Sequence, residues 1–405
     1  MGKKALTAKQ KGEYTMRVVG LDVCKNSVVA CVLDAAPTSP RKVYYDYDFP
    51  RFFTDSSGIK ALLALNADVA VLEPTGVNYS KFWVTKLAEY GVEIALVGHR
   101  QLNTYRVNLD LPDKDDSADA LALACYYIEH HLSDRRFVRI RDPIISQIRD
   151  ISLRLQHLNR VQSPIVNRIR QDLAWQFPEA AFIGLDAPLF WGWLAGERKS
   201  KKYQKLYQES VGLGLKEETE NSAKAIIVLQ RRERALEVSM RHLMKDLRFL
   251  KYRKVFALFG FGERTEALIL SQIYPLENYF GADGKPEIKV LKGRVSGKPT
   301  KRHLSRRRFQ KALGVAPTRE DSGDKKKSKK AGSSLIRRAL WQWVFTRIEP
   351  KRNRVKNSIG TALSEIFDRE KEQSRPIQLI RSRIASRAMD WLFAELVKEL
   401  VTGNN

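Results

Sequence analysis

Residues 17–34, RVVGLDVCKNSVVACVLD, decide the fold. Two short valine-rich runs stand on either side of Cys24-Lys25-Asn26. Runs of this length, rich in β-branched residues and bounded by turn formers, predict two strands of a hairpin over 16–33. Asp22 closes the first run and therefore stands at a strand end. Outward from the hairpin, KVYYDYDF (42–49) alternates and predicts a third strand. SSGIKALLALN (56–66) reads as a helix and DVAVLE (68–73) as a buried strand. NYSKFWVTKLAEY (78–90) then reads as a helix, and VEIALVG (92–98) as a strand. A last helix is expected over 117–131.

Four carboxylates punctuate this pattern. Asp22 and Glu73 each close a strand, and Asp116 and Asp119 lie three apart in PDKDDSADALALACYY, where a helix turns both the same way. Taken singly each has an ordinary explanation. Asp22 suits a turn, Glu73 precedes Pro74 at an exposed turn, and Asp is favoured in the first turn of a helix by capping and by the dipole. Asp113 and Asp115 flank the pair but lack its spacing. Three antiparallel strands followed by β-α-β-α-β give an α/β domain with a mixed sheet, the ribonuclease H-like layout, and that layout brings all four acids together. The result is an all-oxygen pocket suited to hard Mg²⁺, two ions of which can clamp both oxygens of a phosphoryl transfer, with Mn²⁺ able to substitute.

A net charge of +26 and a pI near 9.9 point to a polyanionic partner, nucleic acid above all. No apolar run reaches the ~20 residues of a membrane span, and the basic N-terminus has no apolar core of a signal peptide. Cys24, Cys31 and Cys125 form no close metal-type pair and read as reduced, buried residues of a cytosolic protein.

Four segments are expected: a flexible basic tail at 1–15, the α/β domain at 16–143, a helical linker at 144–252, and a mainly helical domain at 253–405. Ile148, Ile151, Leu155, Leu158 and Val161 stripe one long helix over 144–175. Leu229, Leu236, Met240, Leu243, Leu247 and Leu250 stripe another over 219–251. The stripes fit a coiled-coil arm between copies and an intramolecular helical hairpin equally well. Gly260 and Gly262 fit a helix-hairpin-helix phosphate site or a simple turn. Residues 281–302 read as an inserted loop. Ser322 lies in PTREDSGDKKKSKK, read as a polar loop, with Lys325, Lys326, Lys327, Lys329 and Lys330 beside it and Arg337 and Arg338 on the following helix. These cations suit a nucleic-acid backbone. Composition alone makes Ser322 a turn residue, since a serine needs an activating partner to become a nucleophile.

GLDVCKNSVVACVLD, LEPTGVNYSKFWVTKLAEYGVEIALVGHRQ and DKDDSADALALA resemble the N-terminal domain of the DEDD transposases of insertion sequences. FALFGFGERTEALILSQI and LGVAPTREDSGDKKKSKKAGSSLIRRALWQ resemble their C-terminal domain. That family includes the Piv DNA invertases and the bridge-RNA-guided recombinases. Asp115 replaces the family's Thr, and Pro74 its Ala, without removing an acid. The resemblance implies a RuvC-like first domain with Asp22, Glu73, Asp116 and Asp119 as a metal tetrad, and Ser322 as a nucleophile that forms a phosphoserine with DNA. It also implies a structured guide RNA pairing with target and donor DNA, dimers or tetramers joined by the coiled coil, sites shared between subunits, and a cytoplasmic location on a bacterial or archaeal nucleoid. No GxxxxGK[ST] motif is present, as suits strand exchange that needs no ATP. Two other readings remain at this level: a RuvC-like structure-specific nuclease using metal-activated water, and a non-catalytic RNA- or DNA-binding protein.

Overall fold

The computed structural model describes residues 16–74, 79–184, 187–293, 297–322 and 325–402, with 318–322 and 325–330 described by their backbone. The chain divides into two units, at 1–141 and 142–405.

The first unit is a mixed α/β sheet domain. Its elements are β1 (Val18–Val23), β2 (Ser27–Leu33), α1 (Pro40–Asp46), β3 (Arg51–Phe53), α2 (Ser56–Leu63), β4 (Val69–Leu72), α3 (Tyr79–Glu89), β5 (Glu93–Leu96), α4 (His99–Asn108) and α5 (Asp116–His130). The sheet order is β3-β2-β1-β4-β5. β1, β2 and β3 run antiparallel in turn, while β4 and β5 continue parallel from β1. The expected hairpin is present, closed by Cys24 N–H donating to the Ser27 carbonyl at 2.9 Å.

Alternation along β1 covers both sheet faces. Val19, Leu21 and Val23 pack with Ile59 and Leu62 of α2 and Trp83 and Leu87 of α3. Val18 packs on the other face with Val69, Val71, Leu102 and α5. Gly20 and Asp22 share that second face. There α5 lies so close that a Cβ built on Gly20 would fall 2.0 Å from the Ala120 carbonyl oxygen and 2.7 Å from Ala124 N. Only hydrogen fits at residue 20, and the alanines of α5 complete the close approach.

Two departures from the sequence reading lie here. Residues 42–49 do not form the third strand, because most of them belong to α1. Ser39 caps that helix by accepting from Lys42 N–H, and Pro40 occupies its first turn. A cap followed by proline starts a helix more strongly than alternating tyrosines make a strand. The third strand is Arg51–Phe53 instead. α4 was not expected; its mean hydropathy is low and its sequence HRQLNTYRVN buries little beyond Leu102 and Arg106.

The second unit is largely helical: α6 (Pro143–Gln176), α7 (Pro188–Leu194), α8 (Lys201–Gln208), α9 (Glu217–Leu243), α10 (Leu250–Phe259), α11 (Glu263–Ile273), β6 (Ile288–Lys292), β7 (Pro299–His303), α12 (Leu304–Ala312), β8 (Pro317–Ser322), β9 (Lys325–Lys330), α13 (Ser334–Trp343), α14 (Ser358–Glu372) and α15 (Ile377–Val397). α6 and α9 pack against each other within the chain. One core gathers Ile145, Ile148, Leu155 and Met240 with α10–α15, and another gathers Val166, Ile169 and Ile226 with the aromatics of α7. The second long helix stops at Leu243, short of the expected 251, and Asp246 then caps a 3₁₀ turn by accepting from Arg248 N–H. Residues 281–302 hold the β6 strand and most of β7, not a loop, and the polar loop around Ser322 is the β8–β9 pair. Gly260 takes a left-handed φ of 60° to end α10, and Gly262 starts α11. No helix among the described residues is long and apolar enough to cross a membrane.

The contact at Gly20 makes a direct expectation. Gly20→Ala forces α5 off β1 and should cost about 2–3 kcal/mol, in line with overpacking of a tight core. Thermal unfolding followed by circular dichroism should show a drop of several degrees. An unchanged melting temperature would contradict this packing.

Candidate metal centre

Parallel pairing of β1 with β4 sets two acids side by side. Leu21 pairs with Leu72, so Asp22 and Glu73 are the next residues along adjacent strands, on the face that α5 covers. Asp115 caps α5 by accepting from Ala118 N–H at 2.7 Å, and it also accepts from the Tyr44 hydroxyl at 2.6 Å. That cap leaves Asp116 and Asp119 in the first turn, where the helix dipole favours negative charge.

Among the described residues Asp22, Asp116 and Cys24 form a group whose ligand atoms all lie within 4.8 Å of one another. The Cys24 thiol donates to Asp116 Oδ2 at 3.4 Å, and Arg51 Nη2 donates to the same oxygen at 2.9 Å. Arg51 also reaches Ser27 Oγ at 3.1 Å. Asp119 pairs with Arg106, which is buried on α4 and also donates to Asn103 Oδ1 at 2.8 Å. Glu73 is hydrogen-bonded to His99 Nδ1. The fold thus brings Asp22 and Asp116 into direct proximity. Glu73 and Asp119 stand close enough to act on Asp22 through their charge, yet each is held by a partner of its own.

The electrostatics follow from this crowding. Burial first, then the charges of Asp116, Asp119 and Glu73, push the Asp22 carboxyl up to about 7. Burial also pushes Asp116 upward, but Arg51 and Cys24 outweigh it and hold that carboxyl below its ordinary value. The Cys24 thiol is raised by burial and by Asp116. Carboxylate oxygens at a point of uncompensated negative charge suit a hard divalent cation, so the donor chemistry of Asp22 and Asp116 fits such an ion.

Sequence reasoning missed three contributors. Arg51 and Arg106 supply counter-charge; the only hint was that converging acids require one. Cys24 was grouped with the buried cysteines, but only Cys31 and Cys125 are buried, whereas Cys24 is partly exposed at the acids. Ser322 belongs to the second unit. It ends β8, with its backbone paired to Lys325, and the same register sets Asp321 opposite Lys326 and Glu320 opposite Lys327. Lys329 and Lys330 pair with Thr318 and Pro317. On α13, Arg337 donates to the Gly314 carbonyl at 3.2 Å, and Arg338 is exposed.

The shift at Asp22 has a definite sign. Its folded value of about 7 lies above the ordinary 3.8, so its protonated form is the stabilising one. That contribution is complete below about pH 4 and is lost as pH rises through 7. In EDTA at pH 8, Asp22→Asn should therefore melt a few degrees above wild type, with the gap closing toward pH 4. Divalent metal should stabilise wild type more than the variant. Identical melting curves across this range, with and without metal, would contradict the crowding.

Comparison with known families now bears on these residues. Residues 19–178 match the model of the DEDD transposases of IS110 type, described as Transposase, and residues 291–358 match the Transposase IS116/IS110/IS902 family. No curated protein matches the chain. The first match contains Asp22, Glu73, Asp116 and Asp119, and the second contains Ser322, the lysines of β9, Arg337 and Arg338. The two matches together span more than half of the sequence. The chain belongs to the IS110-type DEDD transposases, enzymes that cut and rejoin DNA.

Proposed function

We propose that this transposase is a site-specific DNA recombinase of an insertion sequence, dependent on Mg²⁺, that exchanges strands through a phosphoserine at Ser322 under the direction of a structured RNA. The observation that carries this reading is the meeting of Asp22 and Asp116 at one end of β1, with Glu73 and Asp119 close enough to raise Asp22. Asp22, Glu73, Asp116 and Asp119 read in chain order as the four acids of the DEDD pattern. The strand order β3-β2-β1-β4-β5, with Asp22 on the central strand, supports a RuvC-like first unit.

Divalent ions held by the four acids would neutralise the phosphate and activate the attacking and leaving oxygens. Arg51 holds Asp116 in its ionised form, and Arg106 orients Asp119, for that task. The Ser322 hydroxyl loses its proton and attacks the scissile phosphorus. A strand-end oxygen leaves and takes up a proton as the new Ser–O–P bond forms. The hydroxyl of a second strand end then attacks the same phosphorus and frees Ser322. One phosphodiester is broken for each one made, so no ATP is consumed. The lysines of β9, with Arg337 and Arg338, would hold the backbone near Ser322.

Guidance by RNA suits a basic chain whose contacts are to backbone and shape. Assembly as a dimer or tetramer through a coiled coil is part of the same proposal. Val228 and Val238 on α9, 51% and 58% exposed, would be available to such a contact.

Ser322→Ala should bind DNA and RNA as wild type does yet form no covalent protein–DNA adduct on a denaturing gel with a nicked suicide substrate and Mg²⁺. Asp22→Asn should abolish the adduct as well. Mixing the two variants should restore some activity if acids and serine come from different copies. A retained adduct in Ser322→Ala, or cleavage by wild type without any adduct, would favour the nuclease that uses water.

A further inference from the structure

In β6 and β7 every residue is exposed, including Ile288, Val290 and Leu291 at 50–60%. A two-stranded hairpin with neither face covered is marginal in water. This one is instead clamped at its base. Glu287 N–H donates to Ser305 Oγ at 2.8 Å, and Arg308 donates to Glu287 Oε2 at 2.7 Å and to the Tyr279 carbonyl at 2.8 Å. α12, which carries Ser305 and Arg308, is anchored by fully buried Phe309. The hairpin is therefore a supported projection.

Its chemistry is cationic. Register sets Lys289 opposite Arg302 and Val290 opposite Lys301. Between hairpin and α12 runs a groove of about 460 Å³, lined by Lys301, Arg302, His303, Arg306 and Arg307, with Pro317 at the start of β8 on its wall. Glu287 is the one acid in residues 285–311, and Arg308 engages it. Asp390 pairs with Arg306 at 3.4 Å. Lysine on the open edges of a small sheet discourages strand pairing. That role explains neither the arginines across the groove on α12 nor the exposed Val290 and Leu291.

We propose that β6, β7 and α12 form a duplex-DNA-binding arm, in which the ribbon enters the major groove and Lys301, Arg302 and Arg307 hold the flanking phosphates. The major groove of B-DNA admits a two-stranded ribbon, and exposed apolar side chains there can meet thymine methyls. The deep, narrow major groove of an A-form RNA duplex does not admit side chains. The arm rests on the family's action on DNA and is independent of Ser322 and of metal ions.

The test uses the full-length protein in EDTA and fluorescence anisotropy with labelled duplexes of DNA and of RNA, each of about three helical turns. The combined Lys301→Ala, Arg302→Ala and Arg307→Ala variant should lose ~30-fold in affinity for the DNA duplex. Its slope of log K against log salt should fall by about 2–3, as expected for three lost phosphate contacts. Affinity for the RNA duplex should change less than ~3-fold, because a ribbon that cannot enter the A-form major groove does not bring these three cations onto the flanking phosphates. Circular dichroism verifies folding, and Arg302→Glu alone serves if the triple variant does not fold. Unchanged DNA affinity and slope in a folded variant, or an equal loss on RNA, would overturn the arm. Ser322→Ala should bind like wild type in the same assay, so loss of the adduct and loss of the arm are read separately.

Discussion

The absence of a side chain at Gly20 is the constraint on which the N-terminal unit depends. It lets α5 rest with its backbone against the centre of β1, where a methyl group would overlap the Ala120 carbonyl oxygen. Because the first turn of α5 carries Asp116 and Asp119, this single contact also decides where two of the acids go. Ala118, Ala120, Ala122 and Ala124 are all fully buried on α5, which keeps the helix thin enough for the approach. Packing and site geometry are one feature: the same close contact that builds the core delivers carboxylates to the end of a strand that already bears Asp22.

Such delivery is electrostatically costly, and the surroundings show how the cost is met. Asp116 has the cation Arg51 and Asp119 the cation Arg106, while Glu73 is hydrogen-bonded to His99. Among the described residues no comparable cationic partner stands against Asp22, whose carboxyl is pushed up to about 7. The remaining unmet charge lies at Asp22, beside Asp116, within a chain whose overall charge is +26. A protein this basic attracts a polyanion broadly, while the local acidic point would repel a phosphate unless a cation stands between them. That combination is the physical reason to connect the acids with metal-assisted chemistry on nucleic acid.

Much of this was legible in the sequence because period and punctuation agreed. The valine runs around Cys24-Lys25-Asn26 gave the hairpin, and DVAVLE and VEIALVG gave the parallel strands beside it. Residues 42–49 misled, since alternating tyrosines imitate a strand while Ser39-Pro40 signals a helix start. β7, β8 and β9 were not read as strands because PTKRH, PTREDS and KKKSKK carry no hydrophobic period, and in β6 the short apolar set of IKVLK stands among lysines, prolines and glycines. The four acids could be picked out by position, but their counter-ions could not. Arg51 and Arg106 are distant from them in sequence and lie in segments with weak patterns. The grouping of Cys24 with the acids depends on its side chain turning toward α5, which spacing alone does not fix.

The central claim is that the end of β1 is a divalent-cation site built by Asp22 and Asp116. Isothermal titration of Mn²⁺ into the full-length protein at pH 6.5, in two buffers of different ionisation enthalpy, tests it most directly. The expected result is saturable binding with release of about one proton, because a cation displaces the proton that Asp22 retains at this pH, and loss of that binding in Asp116→Asn. Absence of saturable binding in wild type, or the same binding and proton release in Asp116→Asn, would contradict it.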